Sequence, residues 1–188
     1  MIPASSYKEA IASLLSGGVG VMPTDTVYGL VARAGDKTAV ERFYGLKKRE
    51  SKPGTVIAAN VKQLVDLGLQ ERYLKRVERW WPNPLSVICE AGKELEYLHL
   101  GLGSLAVRVT NDEALLQLLD AAGPLVSTSA NLPGRPGAVN LQEAREYFQD
   151  EVDFYVDGGD LSGRAPSTIV RIVGEGIEVI RQGAVKIR

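Results

Sequence analysis

Apolar positions along the chain alternate between helical spacing and short unbroken runs. Behind Ser6-Tyr7-Lys8-Glu9, which has the S-x-x-E order of a capping box, Ala10, Ile11, Leu14 and Leu15 recur at helical spacing until Gly17-Gly18. Val19 to Met22 reads as a short strand closed by Pro23. The pattern predicts further helices from Asp36 to Leu46, from an Asn60 cap to Leu67, from Glu71 to Trp81, from Asn111 to Ala122, and from an Asn140 cap to Phe148. Strands are expected at 55–59, 85–90, 104–109, 125–127, 154–156, 167–173 and 178–181. Interleaved helices and strands give an α/β class, and the crowd of short C-terminal strands gives a mixed sheet rather than an all-parallel one. Nothing in the pattern marks a linker, so one domain over residues 1–188 is expected. The Gly- and Pro-rich stretches 131–140 and 157–166 read as loops.

Composition narrows the function classes. Lys and Arg total 22 against 23 Asp and Glu, so the formal net charge is −1. Coating nucleic acid by bulk charge is thereby disfavoured, while a local basic groove is not. One Cys and one His exclude an internal disulfide framework and a Cys/His zinc site. Cys89, within Leu85-Ser86-Val87-Ile88-Cys89-Glu90, reads as a buried apolar thiol, and His99 sits in no recognisable motif. No run reaches the ~18 apolar residues of a membrane helix, and the N-terminus carries no cleavage signature. A cytoplasmic protein with no membrane role is the expectation.

The polar residues that interrupt the apolar pattern suggest the chemistry. Pro23-Thr24-Asp25-Thr26-Val27-Tyr28-Gly29-Leu30 follows a buried strand, and strand ends are where open α/β sheets hold ligands. A polar turn explains the same residues equally well. Residues 42–52 hold five bases and one acid at a helix C-terminus, where cations are favourable anyway. They could also clamp an anion, since Arg forks onto phosphate or carboxylate. Ser127-Thr128-Ser129-Ala130-Asn131 enters a Gly/Pro loop and could form an anion nest. Pro166-Ser167-Thr168 begins one strand and Arg181 ends the next, so a hairpin would bring Ser167 and Arg181 together. Arg108 lies inside an apolar strand, where an unpaired charge is costly to bury, so it is either on an exposed face or aimed at an anion. The chain has no P-loop, no Rossmann fingerprint and no G-x-S-x-G. Cations and hydroxyls with almost no candidate base suit a polyanion and chemistry by positioning and charge stabilisation.

These segments, in this order, resemble the YrdC/TsaC family of threonylcarbamoyl-AMP synthases. The likeness rests on PTDTVYGL at 23–30, K-x-R at 47–49, SLAVRV at 104–109, STSAN at 127–131, PSTIV at 166–170, and Arg181 with Gly183. It implies a twisted sheet around a basic concave groove. It implies formation of threonylcarbamoyl-AMP and pyrophosphate from L-threonine, bicarbonate and ATP. The product would serve threonylcarbamoyl modification of the adenosine beside the tRNA anticodon, with partner proteins carrying out the transfer. By position, Thr26, Arg108, Ser127 and Ser167 are expected to bind L-threonine. Lys47, Arg49, Ser104, Ser129, Asn131 and Arg181 are expected to bind ATP, with Lys47, Arg49 and Arg181 supporting catalysis. No protein-held metal is expected, since Mg²⁺ would ride mainly on the ATP phosphates.

The chain departs from the common family pattern at Glu50, at the tight Ser51-Lys52-Pro53-Gly54 segment, at Leu132-Pro133-Gly134, at Gly137 and at Arg171. Two alternatives accompany the resemblance: an RNA-binding protein that uses the same groove without catalysis, and a paralogue that adenylates a different carbamate.

Overall fold

The computed structural model describes residues 2–47, 52–173 and 176–187. The first helix, α1 (Tyr7–Leu15), begins where its spacing requires. The Ser6 hydroxyl accepts from the Glu9 amide, and the Glu9 carboxylate accepts from the Ser6 amide at 2.7 Å. Asn60 and Asn140 cap α3 (Val61–Leu67) and α7 (Leu141–Phe148) by accepting from the Gln63 and Glu143 amides. The cap of α6 (Glu113–Ala122) is Asp112 rather than Asn111: its carboxylate accepts from the Leu115 amide at 2.9 Å. The predicted helix at 71–81 is α4 (Glu71–Val77) followed by a 3-10 turn over Glu78–Trp80. The helix α2 spans Lys37–Lys47, and a short α5 (Glu96–His99) was not expected.

Among the described residues, ten strands form one mixed sheet. In chain order they are β1 (Ala4–Ser5), β2 (Gly20–Pro23), β3 (Tyr28–Arg33), β4 (Thr55–Ala58), β5 (Leu85–Glu90), β6 (Ser104–Val109), β7 (Leu125–Ser129), β8 (Phe154–Val156), β9 (Thr168–Val173) and β10 (Gly176–Arg181). Their order across the sheet is β1-β8-β2-β3-β7-β4-β6-β5-β9-β10. Parallel pairs such as β4 with β6 and β5 with β9 occur beside antiparallel ones such as β3 with β7 and β9 with β10. The expected class of a helix-flanked mixed sheet holds.

The sequence reading missed β1 and β3. In β3, Tyr28, Gly29, Leu30, Val31 and Ala32 are all buried, so the strand shows no alternation of polar and apolar positions. Its Thr-rich approach looked like a turn, and it is one: the Thr24 amide donates to the Val27 carbonyl at 3.1 Å. That turn makes β2 and β3 a hairpin with Pro23 opposite Tyr28.

One core cluster packs Phe43 and Tyr44 of α2 with Val56, Val87, Val107 and Val126 of the central strands. A second joins Ala10 and Leu14 of α1 to Leu115, Leu118 and Leu119 of α6. Among the described residues no helix is long and apolar enough to cross a membrane.

Candidate functional site

Register builds the site. Cross-strand partners share a sheet face. Ser127 of β7 stands opposite Thr55 of β4, Ser129 opposite Gly29 of β3, and Arg108 of β6 opposite Ile57 of β4. Because strand side chains alternate between faces, Ser127, Ser129, Thr55 and Arg108 fall on one side of the sheet. Gly29 keeps that face open: a Cβ there would lie 2.7 Å from the Ser127 Oγ.

A cavity of about 260 Å³ lies over this face. It is lined by the turn residues Thr24 and Thr26, by Gly29, Thr55, Ser127 and Ser129, by Lys52 and Gly54, and by Arg108, Ser167 and Arg181. The cluster at 23–30, which the sequence left even between turn and site, is therefore both. The described lining holds three cations and no carboxylate or imidazole. This volume is below the ~300–1,000 Å³ of pockets for drug-sized ligands. It suits a ligand smaller than that.

Arg108 is held from behind. Its Nε donates to Asp25 Oδ1 and Oδ2 at 3.1 and 3.0 Å, and its Nη2 donates to Oδ1 at 2.5 Å. Both side chains are 5% exposed or less, so this is a buried, forked ion pair. No described residue accepts from Nη1, which leaves that nitrogen for a ligand. The pair answers how a charge sits inside an apolar strand.

Thr26 is polarised by its neighbour. The Thr24 hydroxyl donates to the Val27 carbonyl at 2.8 Å, which uses its single proton. The Thr26 hydroxyl, 3.1 Å from Thr24 Oγ1, must then be the donor of that pair. Thr26 consequently turns lone pairs toward the cavity.

The hairpin of β9 and β10 delivers the remaining groups. Arg181 donates through Nε and Nη2 to the Ser167 carbonyl at 3.1 and 2.7 Å, and through Nη2 to the Ser167 hydroxyl at 3.1 Å. The expected closeness of Ser167 and Arg181 is thus realised.

Lys47, at the end of α2, is 1% exposed. Its ammonium donates to the carbonyls of Ser129 and Asn131 at 2.6 and 2.5 Å and also to Asn131 Oδ1. Ser129 donates to the same Asn131 Oδ1 at 2.7 Å. Lys47 and Asn131 therefore lie behind the cavity wall and shape the β7 exit, while Ser129 lines it. Ser104 begins β6 across from Glu90 and is not among the lining residues. Arg49 and Glu50 lie outside the described residues. Arg42, part of the same basic stretch, binds Asp153 and the Glu151 carbonyl instead of the cavity. Leu132, Pro133, Gly134 and Gly137 belong to the loop after β7, and Arg171 is on β9 paired with Glu178.

Cys89 and His99 stand apart. Burial pushes the Cys89 thiol up to about 12. The His99 ring bridges the Gly92 carbonyl and the Gly103 amide, which is a structural use. Sequence reasoning overlooked Thr55, which lines the cavity from β4. Strand alternation from Arg108 and Ser127 was the available signal, but it needs the register, which only the fold supplies.

The profile of the Sua5/YciO/YrdC family, described as "Telomere recombination", matches residues 12–183. A protein of Pseudomonas aeruginosa named threonylcarbamoyl-AMP synthase is 37% identical over 183 residues, covering 94% of this chain and 98% of the relative. The crystal structure of P. abyssi Sua5 complexed with L-threonine superposes with a TM-score of 0.83 at 28% identity. That match covers 94% of this chain and 54% of the Sua5 chain, so the present chain spans about half of Sua5. E. coli YciO gives a TM-score of 0.80 at 25% identity, covering 98% and 94% of the two chains. With the motifs, the sheet and the profile in agreement over most of its length, the chain belongs to the Sua5/YciO/YrdC family.

Proposed function

We propose that this protein is a threonylcarbamoyl-AMP synthase. The observation that carries the reading is the convergence of Thr26, Arg108, Ser127, Ser167 and Arg181 on one cavity with no general base in its described lining. Relatives named for this reaction, and a Sua5 structure holding L-threonine, support it. The product would feed threonylcarbamoyl modification of tRNA, with partner proteins completing the transfer.

Arg108 Nη1, Ser127 and Ser167 provide donors for the L-threonine carboxylate. Thr26 provides an acceptor for a hydroxyl or amine proton. The amine adds to bicarbonate and loses water, giving a carbamate. A carbamate oxygen attacks the α-phosphorus of ATP, and the bond to pyrophosphate breaks. Each step moves charge onto oxygen, where fixed cations are most effective. Arg181 and Lys52 stand at the cavity for the phosphates, and Arg49 is assigned to them by its motif. Lys47 and Asn131 would hold the Ser129 turn against the nucleotide. Mg²⁺ would enter as part of the ATP substrate. No cluster of three or more His, Cys, Asp or Glu exists among the described residues, and the one buried carboxylate beside the cavity is committed to Arg108. Hydroxyls and cations suit a metal carried on phosphate oxygens rather than a protein cage.

The test is pyrophosphate release from Mg-ATP with and without L-threonine and bicarbonate, with the nucleotide products separated. Release that requires both co-substrates and yields a new AMP adduct supports the reading. Release indifferent to threonine removes it, and serine or other amino acids in place of threonine test the paralogue reading. RNA binding has its own observation, on a surface other than the cavity: Arg72, Lys75 (paired with Glu71), Arg76 and Arg79 are exposed on α4 and the turn after it, beside Tyr73 and Trp80. A tRNA titration with a steep salt slope and no ATP turnover would favour that reading instead.

A further inference from the structure

Ser86 lies on β5 beside Ser167 and is fully buried. It does not line the cavity. Its hydroxyl donates to the Ser167 hydroxyl at 3.0 Å, and among the described residues it has no other hydrogen-bond partner. A buried hydroxyl without an acceptor costs about 1–3 kcal/mol, so this proton belongs on Ser167. Arg181 also donates to Ser167 Oγ, at 3.1 Å, and a guanidinium can only donate. A serine oxygen has two lone pairs and one proton. Both lone pairs of Ser167 are therefore occupied, and its proton has no acceptor among the described residues. Ser167 lines the cavity, so that proton is left for the ligand.

We infer that Ser86 is a positioning residue that locks Ser167 as a hydrogen-bond donor toward an anionic oxygen, the ligand's carboxylate. The inference rests on the function proposed above for the identity of that ligand, though not for the direction of the hydrogen bond. It gives the cavity a fixed polarity. Ser167, with Arg108, donates only, while Thr26, which also lines the cavity, accepts. An L-amino acid is held one way round, carboxylate toward Ser167 and its own donors toward Thr26. Without Ser86 the Ser167 hydroxyl can rotate its proton away and offer a lone pair to the carboxylate, which repels it.

Two measurements test this. In the synthase assay, Ser86→Ala is expected to raise the KM for L-threonine about tenfold, the weight of one hydrogen bond to a charged group, and to leave the KM for ATP unchanged. Ser86→Thr, which keeps the hydroxyl, is expected to restore the wild-type value. An unchanged threonine KM in folded Ser86→Ala overturns the inference. So does an equal rise in both KM values, which would mark a merely structural role. Neutron diffraction on the deuterated wild-type protein reads the direction itself. A deuteron on Ser86 pointing at Ser167, with that of Ser167 pointing into the cavity, supports the inference, and the reverse arrangement overturns it. If the wild-type protein makes no threonylcarbamoyl-AMP, the proposed function falls, and the neutron map still decides the role of Ser86.

Discussion

Single residues in this protein act through the partners that constrain them. Arg108 is the clearest case, because Asp25 neutralises and aims it. Removing one member of a buried ion pair leaves an uncompensated charge and typically costs about 3–5 kcal/mol. Arg108→Ala is therefore expected to lose stability in urea unfolding as well as threonine binding. Adding Asp25→Asn should recover much of the stability and none of the binding. Arg181 and Lys47 separate differently. Arg181→Ala is expected to lower turnover on the order of a hundredfold, as for loss of one charge-stabilising donor, and Lys47→Ala is expected to lower it comparably by releasing the Ser129 turn that its ammonium holds. Arg181→Ala should unfold near the wild-type midpoint. Lys47→Ala strands the carbonyls that its buried ammonium satisfied and should shift the midpoint downward. Near wild-type turnover in both would remove these assignments. At this scale the sequence was legible for the residues that interrupt apolar runs, such as Arg108, Ser127 and Ser167. Ser86 was not, since a serine in a buried strand gives no sign of what its proton touches.

At the scale of elements, local chemistry predicted where helices begin and failed where strands are fully buried. Ser6, Asn60 and Asn140 each carry an acceptor at a fixed distance from the amides they cap, which sequence spacing displays directly. Strand β3 has no such mark, and its neighbours β2 and β7 determine it. The β9–β10 hairpin was anticipated from a hydroxyl pair and a distant Arg, but what closes it was not. Gly183, just beyond β10, approaches the backbone of the strand's partner so closely that a Cβ would lie 2.2 Å from the Pro166 carbonyl oxygen and 2.6 Å from the Ser167 carbonyl carbon. Backbone atoms cannot yield as a side-chain tip can. Gly183→Ala is expected to cost about 1–3 kcal/mol as an overpacked contact. Because the displaced residue is Ser167, its threonine KM should rise as well, which a thermal melt alongside steady-state kinetics would register.

For the whole molecule, the position of the cavity in the strand order matters. Thr26, Ser127 and Arg108 come from the middle of the sheet, whereas Ser167 and Arg181 come from a hairpin whose strand pairing to the rest of the sheet, among the described residues, runs through β5. The outer strand β10 leaves Val179 and Ile180 exposed at 41% and 44%, so little apolar burial anchors it. Such an edge belongs to the low-stability end of a fold and opens locally without global unfolding. An amino acid gripped by Arg108 and Ser167 at once is a non-covalent crosslink between the two regions. Amide hydrogen exchange across 168–173 and 176–181 is therefore expected to slow on adding L-threonine, more than exchange in β3 or β7. Equal slowing everywhere would mean that the ligand reports only on global stability. Part of the affinity is then used to order the hairpin, so an amino acid that reaches only Thr26 and Ser127 would bind weakly and leave the edge fraying.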